Sequence, residues 1–311
     1  MNQDAAQLSL PEFLHDPNAA PSRIARLVRW LAGHRTFLVP FTIVYFVAMV
    51  TLHDVMQQPA YWAQGQRGHR NWNNLVTSVA APILAGFCIW MLVSLRRHAR
   101  PWMAAAYLTV TVGLAVLFFR TLFCMNIEAI HYPQYAILAV LLFALTGSFA
   151  QTIIWATLGG LIDEGYQYFY LYAGRKWIYM DFNDVILNSV GAGLGLVMLY
   201  VAGVHAARWR RGGPARPRPL YASPAGIAIG AFAVGCIALY SAGLLRVLPA
   251  AQTHPWTIVL RRCGPAKAFW NPMNWGKTFH EVQPWEWVVV SIVLISFYAL
   301  LDRLRPAKDT S

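Results

Sequence analysis

Charge is the scarcest property of this 311-residue chain: only 12% of its residues are Asp, Glu, Lys or Arg. A soluble domain carries roughly a quarter, so 57% apolar content and a mean hydropathy of +0.42 exclude an ordinary soluble protein. Cysteine is rare too. Four residues, with no CxxC and no Cys/His zinc spacing, exclude a disulfide-rich scaffold and a structural zinc site. Lysine numbers 4 against 21 arginines, a bias that points to a bacterium with a GC-rich genome. A dinucleotide fingerprint is also missing, because Gly191, Gly193 and Gly195 follow no strand and lie in an apolar run.

What the chain does have is apolar runs of spanning length. About 17 to 25 apolar residues cross a hydrocarbon layer of about 30 Å, and such runs occupy residues 37–53, 74–95, 102–123, 184–204, 223–247 and 285–301. Residues 133–162 carry no charge and are too long for one span; a turn at Thr146-Gly147-Ser148 divides them into two short helices. The expectation is an all-α polytopic bundle of about eight spans: a basic N-terminal segment at 1–36, a transmembrane domain at 37–301 and a tail at 302–311. The N-terminal segment is too polar for a signal peptide, and residues 21–33 read as a basic helix lying on the membrane.

Arginine and lysine favour the cytoplasmic side. Placing both termini there gathers the clusters at 23–35, 96–100, 208–218 and 303–308, fifteen of the 25 basic residues, on one side. The net charge of +12 then reflects anchoring against anionic lipid rather than nucleic-acid binding.

Five of the thirteen carboxylates fall between residues 128 and 188, all at the expected outer face. Glu128, His131 and Tyr135 stand at i, i+3 and i+7, and Asp181, Asp184 and Asn188 repeat that spacing, so each set lines one helix face. Asp163, Glu164 and Gln167 end the helix between them. Ionisable groups near hydrocarbon are costly and mark sites. With helices of about 15 residues, or 22 Å, on either side of the 146–148 turn, the polar ends form a recessed funnel.

His131 suits proton transfer near neutral pH, with Glu128 placed to orient it; a histidine bonded to a carboxylate at a membrane interface is the structural alternative. Asp163, Glu164, Asp181 and Asp184, with amide oxygens and no thiolate, suit Ca²⁺ or Mg²⁺ better than zinc, although Asp181 or Asp184 could simply cap a helix. Arg175 and Arg120 are candidates to hold a phosphate, Arg120 being equally consistent with snorkelling to the interface. Gly191 and Gly195 form a GxxxG for close helix packing. Cys124 and Cys263 share one side, where a disulfide is permitted. Between the last two spans, Arg261, Arg262, Lys267 and Lys277 with Trp256, Trp270, Trp275 and Trp285 form an interfacial belt or a lid over an anionic head group. Residues 54–73 read as a polar loop.

The ordered series Glu128, His131, Tyr135, Asp163-Glu164, Gln167, Phe169, Arg175, Asp181, Asp184, Asn188 and the glycines resembles the VanZ-like membrane family over residues 128–200, with Ala173 where that family has a proline. More distantly, the layout is similar to the base-exchange phosphatidylserine synthases of eukaryotic type. Its histidine helix corresponds to His131, its acidic helix end to Glu164 and Gln167, its aromatic loop to Trp177–Asp184 and its Gly-rich helix to Asn188–Gly195; Gln167 stands where that family has an acid.

The resemblance implies chemistry on a lipid phosphate head group. His131, Glu128 and Glu164 would do the chemistry, Asp163, Glu164, Asp181 and Asp184 would hold a divalent cation, and Arg175, Arg120, Gln167, Tyr135 and Asn188 would bind substrate. The partners are then a membrane lipid and a small polar acceptor. The alternative is a non-catalytic lipid or glycopeptide binder or transporter contributing to antibiotic resistance.

Overall fold

The computed structural model describes residues 22–96, 98, 100–171, 180–204, 219–247, 257–260, 269–273 and 276–304. Ten α-helices appear among them: α1 (Arg23–Gly33), α2 (Arg35–Thr51), α3 (His53–Arg67), α4 (His69–Leu95), α5 (Pro101–Thr121), α6 (His131–Thr146), α7 (Phe149–Tyr166), α8 (Phe182–Val201), α9 (Pro224–Ser241) and α10 (Pro284–Ala299). A 3₁₀ helix at Asn126–Ile130 leads into α6. Six helical segments are long and apolar enough to cross a membrane, and the chain is a multi-pass helical membrane protein. The paired helices α1 and α2, bent by 102° at His34, would add a seventh span if they crossed together.

Helix α8 is the axis of the bundle. Only Asp184 and Met198 of its residues escape burial, and α4, α5, α6, α7 and α10 all pack on it. Its glycines explain the fit. A Cβ on Gly191 would lie 2.8 Å from the backbone oxygens of His131 and Tyr132, one on Gly195 would lie 2.5 Å from Ala136 O, and one on Gly193 would strike the Tyr298 ring. The expected GxxxG contact is therefore made, and its partner is α6. By contrast α4 and α9 are apolar but little covered by protein, as helices facing lipid are.

The sequence turn at 146–148 is present. Gly147 takes a left-handed conformation, φ 63°, which closes α6, and Ser148 caps α7. The cap is reinforced from the far end of the chain: Asp302 accepts from Ser148 Oγ at 2.7 Å, Phe149 N at 2.9 Å and Ala150 N at 2.8 Å. This end also holds α1, through Ser22 Oγ donating to Ala202 O at 2.8 Å, and His98, whose Nε2 lies 3.1 Å from Tyr200 O. The basic α1 buries Ala25, Val28 and Leu31.

The opposite end is built differently from the expectation. Residues 53–67 form a helix, α3, not a loop, and Pro59 lies inside it; α4 then begins at His69, five residues earlier than the apolar run. Between α9 and α10 the described residues form two small pairs, β1 (Leu245–Arg246) with parallel β2 (Ile258–Val259) and β3 (Asn271–Pro272) with antiparallel β4 (Thr278–Phe279). Trp270 and Trp285 are exposed, as a belt would be. Trp256, Trp275, Arg261, Arg262, Lys267 and Cys263 lie outside the described residues, and with them the disulfide permitted between Cys124 and Cys263.

Candidate functional site

Helices α6, α7 and α8 bring their polar residues together at the end of the bundle opposite α1. Because Gly191 lets α6 lie directly on α8, His131 at the start of α6 meets Asp184 in the first turn of α8, with Nε2 to Oδ2 at 3.5 Å. The helix end of α7 supplies the second group. Gln167 donates through Nε2 to Glu164 Oε1 at 2.9 Å and to Asp163 Oδ1 at 3.4 Å, while Tyr135 Oη donates to Asp163 Oδ2 at 3.4 Å. Here α7 gives way to a π-helical turn, Gln167–Leu171, a distortion often found where side chains are aimed at a site.

Most of the groups expected to line an open funnel are buried, although Asp181 and Asp184 are partly exposed. His131 is 2% exposed, Asp163 1%, Glu164 3%, Gln167 5% and Asn188 0%. The glycine contacts of α8, with Gly160 of α7 set 3.2 Å (as a Cβ) from Asn188 Nδ2, draw the three helices together over these groups. The closure leaves polar atoms unpaired. His131 Nδ1 and both amide atoms of Asn188 are buried with no hydrogen-bond partner among the described residues. Buried polar atoms are nearly always satisfied, so unpaired groups on adjacent helices of one polar cluster are what a site for a polar ligand or water presents.

Glu128 sits in the 3₁₀ helix before α6 and accepts from the backbone N–H of Cys124 at 3.0 Å and of Met125 at 2.8 Å. It secures the chain entry to His131, and the carboxylate at ion-pair distance from the imidazole belongs to Asp184 instead. Asp181 caps α8, accepting from Asn183 N at 3.1 Å. Arg120 is exposed in the last turn of α5, and Arg175 lies outside the described residues. Among the described residues no three His, Cys, Asp or Glu side chains stand close enough to hold a metal ion. The donor set is oxygen-rich, as Ca²⁺ and Mg²⁺ require, but short in number; Mg²⁺ commonly binds one or two carboxylates and takes the rest from substrate phosphate and water.

Sequence reading missed several residues here. The His53 ring, at the start of α3, lies 6.1 Å from that of His131. Asn183 is 5% exposed and ties three segments: Nδ2 donates to Leu122 O at 2.9 Å and His280 O at 2.8 Å, and Oδ1 accepts from Val282 N at 2.8 Å. His280 Nε2 lies 2.8 Å from Glu286 Oε2. The one available signal was position, since Asn183 stands between Asp181 and Asp184 and His53 ends an apolar run. No protein-family model, curated protein or solved structure matches the chain.

Proposed function

We propose that the chain is an integral-membrane enzyme acting on the phosphate head group of a lipid, by head-group exchange or phosphodiester cleavage. The observation that supports this reading best is the His131–Asp184 pair. An imidazole with Nε2 at a carboxylate presents Nδ1 as the acceptor, and here Nδ1 is the unpaired atom. His131 Nδ1 takes the proton of an incoming hydroxyl or water as its oxygen bonds to phosphorus, and returns that proton to the departing head-group oxygen when the old P–O bond breaks. Asp184 steadies the imidazolium between the two transfers. Asn188, with donor and acceptor unpaired, positions the phosphate, and Gln167 holds Glu164 and Asp163 in place. A divalent cation, Ca²⁺ or Mg²⁺, enters the proposal as a companion of the lipid phosphate, whose charge it would screen while Asp163, Glu164, Asp181 or Asp184 contributed the protein ligands. Arg175 would hold the phosphodiester.

On the arginine distribution, this end of the bundle faces away from the cytoplasm and the membrane is the bacterial inner membrane. The resemblance to base-exchange synthases supports the same substrate class. The test is a head-group exchange assay: purified protein in nanodiscs with isotopically labelled head-group alcohols, a panel of phospholipids and polyprenyl phosphates, and Ca²⁺ or Mg²⁺. Cation-dependent labelling of a lipid is expected. Saturable binding of a lipid or glycopeptide with no product across the panel would instead support the non-catalytic binder or transporter.

A further inference from the structure

Lys277 lies just before β4, at the same end of the bundle as His131. Its Nζ donates to Asn126 Oδ1 at 2.7 Å and sits over the rings of Phe119 and Phe123, 5.3 and 5.7 Å from their centroids. Asn126 is itself fixed: its Nδ2 donates to Asn73 O at 3.1 Å and Thr77 Oγ1 at 2.7 Å, and its backbone N–H to Asn73 Oδ1 at 3.0 Å. The lysine is thus a half-buried cation held in one place. Among the described residues no carboxylate stands at ion-pair distance from it. Burial holds Lys277 below the ordinary lysine value; Glu128 and Cys124 work against this and Arg120 with it. A cation drawn out of water with no carboxylate in contact is costly, and a second cation beside it raises that cost unless an anion joins them.

We propose that Lys277, held in place by Asn126, and Arg120 form an anion subsite that takes the phosphate oxyanion of a membrane lipid. Charge-assisted hydrogen bonds from ammonium and guanidinium groups are the usual means of holding phosphate, and the half-buried Phe119 ring supplies an apolar flank for a lipid. The 3₁₀ helix Asn126–Ile130 separates the subsite from His131 by about 10 Å, at ~2 Å per residue. Lys277 is therefore a docking residue beside the buried cluster, not a group touching phosphorus at His131. The subsite takes only its ligand class from the head-group reading.

The test uses full-length protein in dodecyl maltoside carrying His131→Ala, so that binding is read without turnover. It is titrated with dioctanoyl phosphatidylglycerol, dioctanoylglycerol and inorganic phosphate, and the unfolding midpoint is followed. The phospholipid should raise the midpoint saturably and the phosphate-free dioctanoylglycerol should not. Lys277→Met should weaken the phospholipid about tenfold or more, as loss of a charged hydrogen bond does, while Lys277→Arg should stay within about threefold. Should Lys277→Met fail to fold, Arg120→Gln at its exposed position should still weaken binding severalfold. Inorganic phosphate binding as tightly as the phospholipid and displacing it would keep the anion subsite and overturn the lipid as its source. Unchanged affinity in the charge-removing variants, or no preference for the phospholipid over dioctanoylglycerol, overturns the subsite. Intact binding with no turnover in the native protein would sink the enzyme reading alone.

Discussion

Replacing Gly191 by alanine should separate the two helices that carry His131 and Asp184. The new Cβ would stand 2.8 Å from His131 O and Tyr132 O and 2.9 Å from Tyr132 Cα. These are backbone atoms that no rotamer change can move, so α6 must retreat by roughly 0.5 Å or more to restore a contact near 3.5 Å. Overpacking of this kind costs about 1–3 kcal/mol, offset by the gain of about 1 kcal/mol that alanine brings to a helix interior. Gly86→Ala on α4 isolates the packing cost, because a Cβ there meets nothing within 4 Å and only the helix gain remains. Gly191→Ala should then be less stable than Gly86→Ala by about 1–3 kcal/mol, read by unfolding in mixed dodecyl maltoside and SDS micelles followed by tryptophan fluorescence. The shift also widens the 3.5 Å His131–Asp184 separation, so turnover should fall by about tenfold or more. Equal stability of the two variants would show that α6 and α8 are not seated as described, and would remove the explanation for the histidine–aspartate contact.

Four further outcomes follow from named contacts. Asn183→Ala strips the partner from Leu122 O, His280 O and Val282 N, and should cost about 1–3 kcal/mol while speeding proteolysis within residues 269–283. Asp302→Ala removes the cap that joins α10 to the start of α7 and should cost about 1–2 kcal/mol in the same unfolding assay, with head-group binding unaffected. Gln167→Glu exchanges the donor shared by Glu164 and Asp163 for a third carboxylate; its unfolding midpoint should drop in chelator and rise with added Ca²⁺ more than that of the native chain. Binding of dioctanoyl phosphatidylglycerol should weaken as pH rises, with the midpoint of the loss below 10.5, because Lys277 loses its proton earlier than an ordinary lysine; a midpoint at or above 10.5 contradicts that.

The spans were legible because apolar length alone sets them, and the 146–148 turn because Gly147 must adopt a left-handed conformation there. Helix α3 was not. Its sequence, HDVMQQPAYWAQGQR, carries an internal proline and few apolar positions, so its stability comes from packing against α2 and α4 rather than from periodicity. The polar residues at 128–188 announced themselves by their cost in so apolar a chain, but not their pairing. Glu128 looked like the partner of His131 because it lies one turn away; the structure spends it on the backbone of Cys124 and Met125 and gives His131 to Asp184, 53 residues later. That exchange depends on Gly191, whose role as the contact point with His131 and Tyr132 appears only when α6 lies on α8. Lys277 and Asn126, 151 residues apart, could not be joined from sequence for the same reason.

The most direct test of the account compares native protein with His131→Ala and Asp184→Asn in nanodiscs of the responsive lipid, by ³¹P NMR of the lipid phosphorus after incubation with Ca²⁺ or Mg²⁺ and a head-group alcohol. The account predicts conversion by the native chain, none by His131→Ala, and conversion slowed at least about a hundredfold by Asp184→Asn, as when the carboxylate partner of a catalytic histidine is neutralised. Lipid converted equally by His131→Ala, or left unchanged by the native chain across the panel, would contradict it.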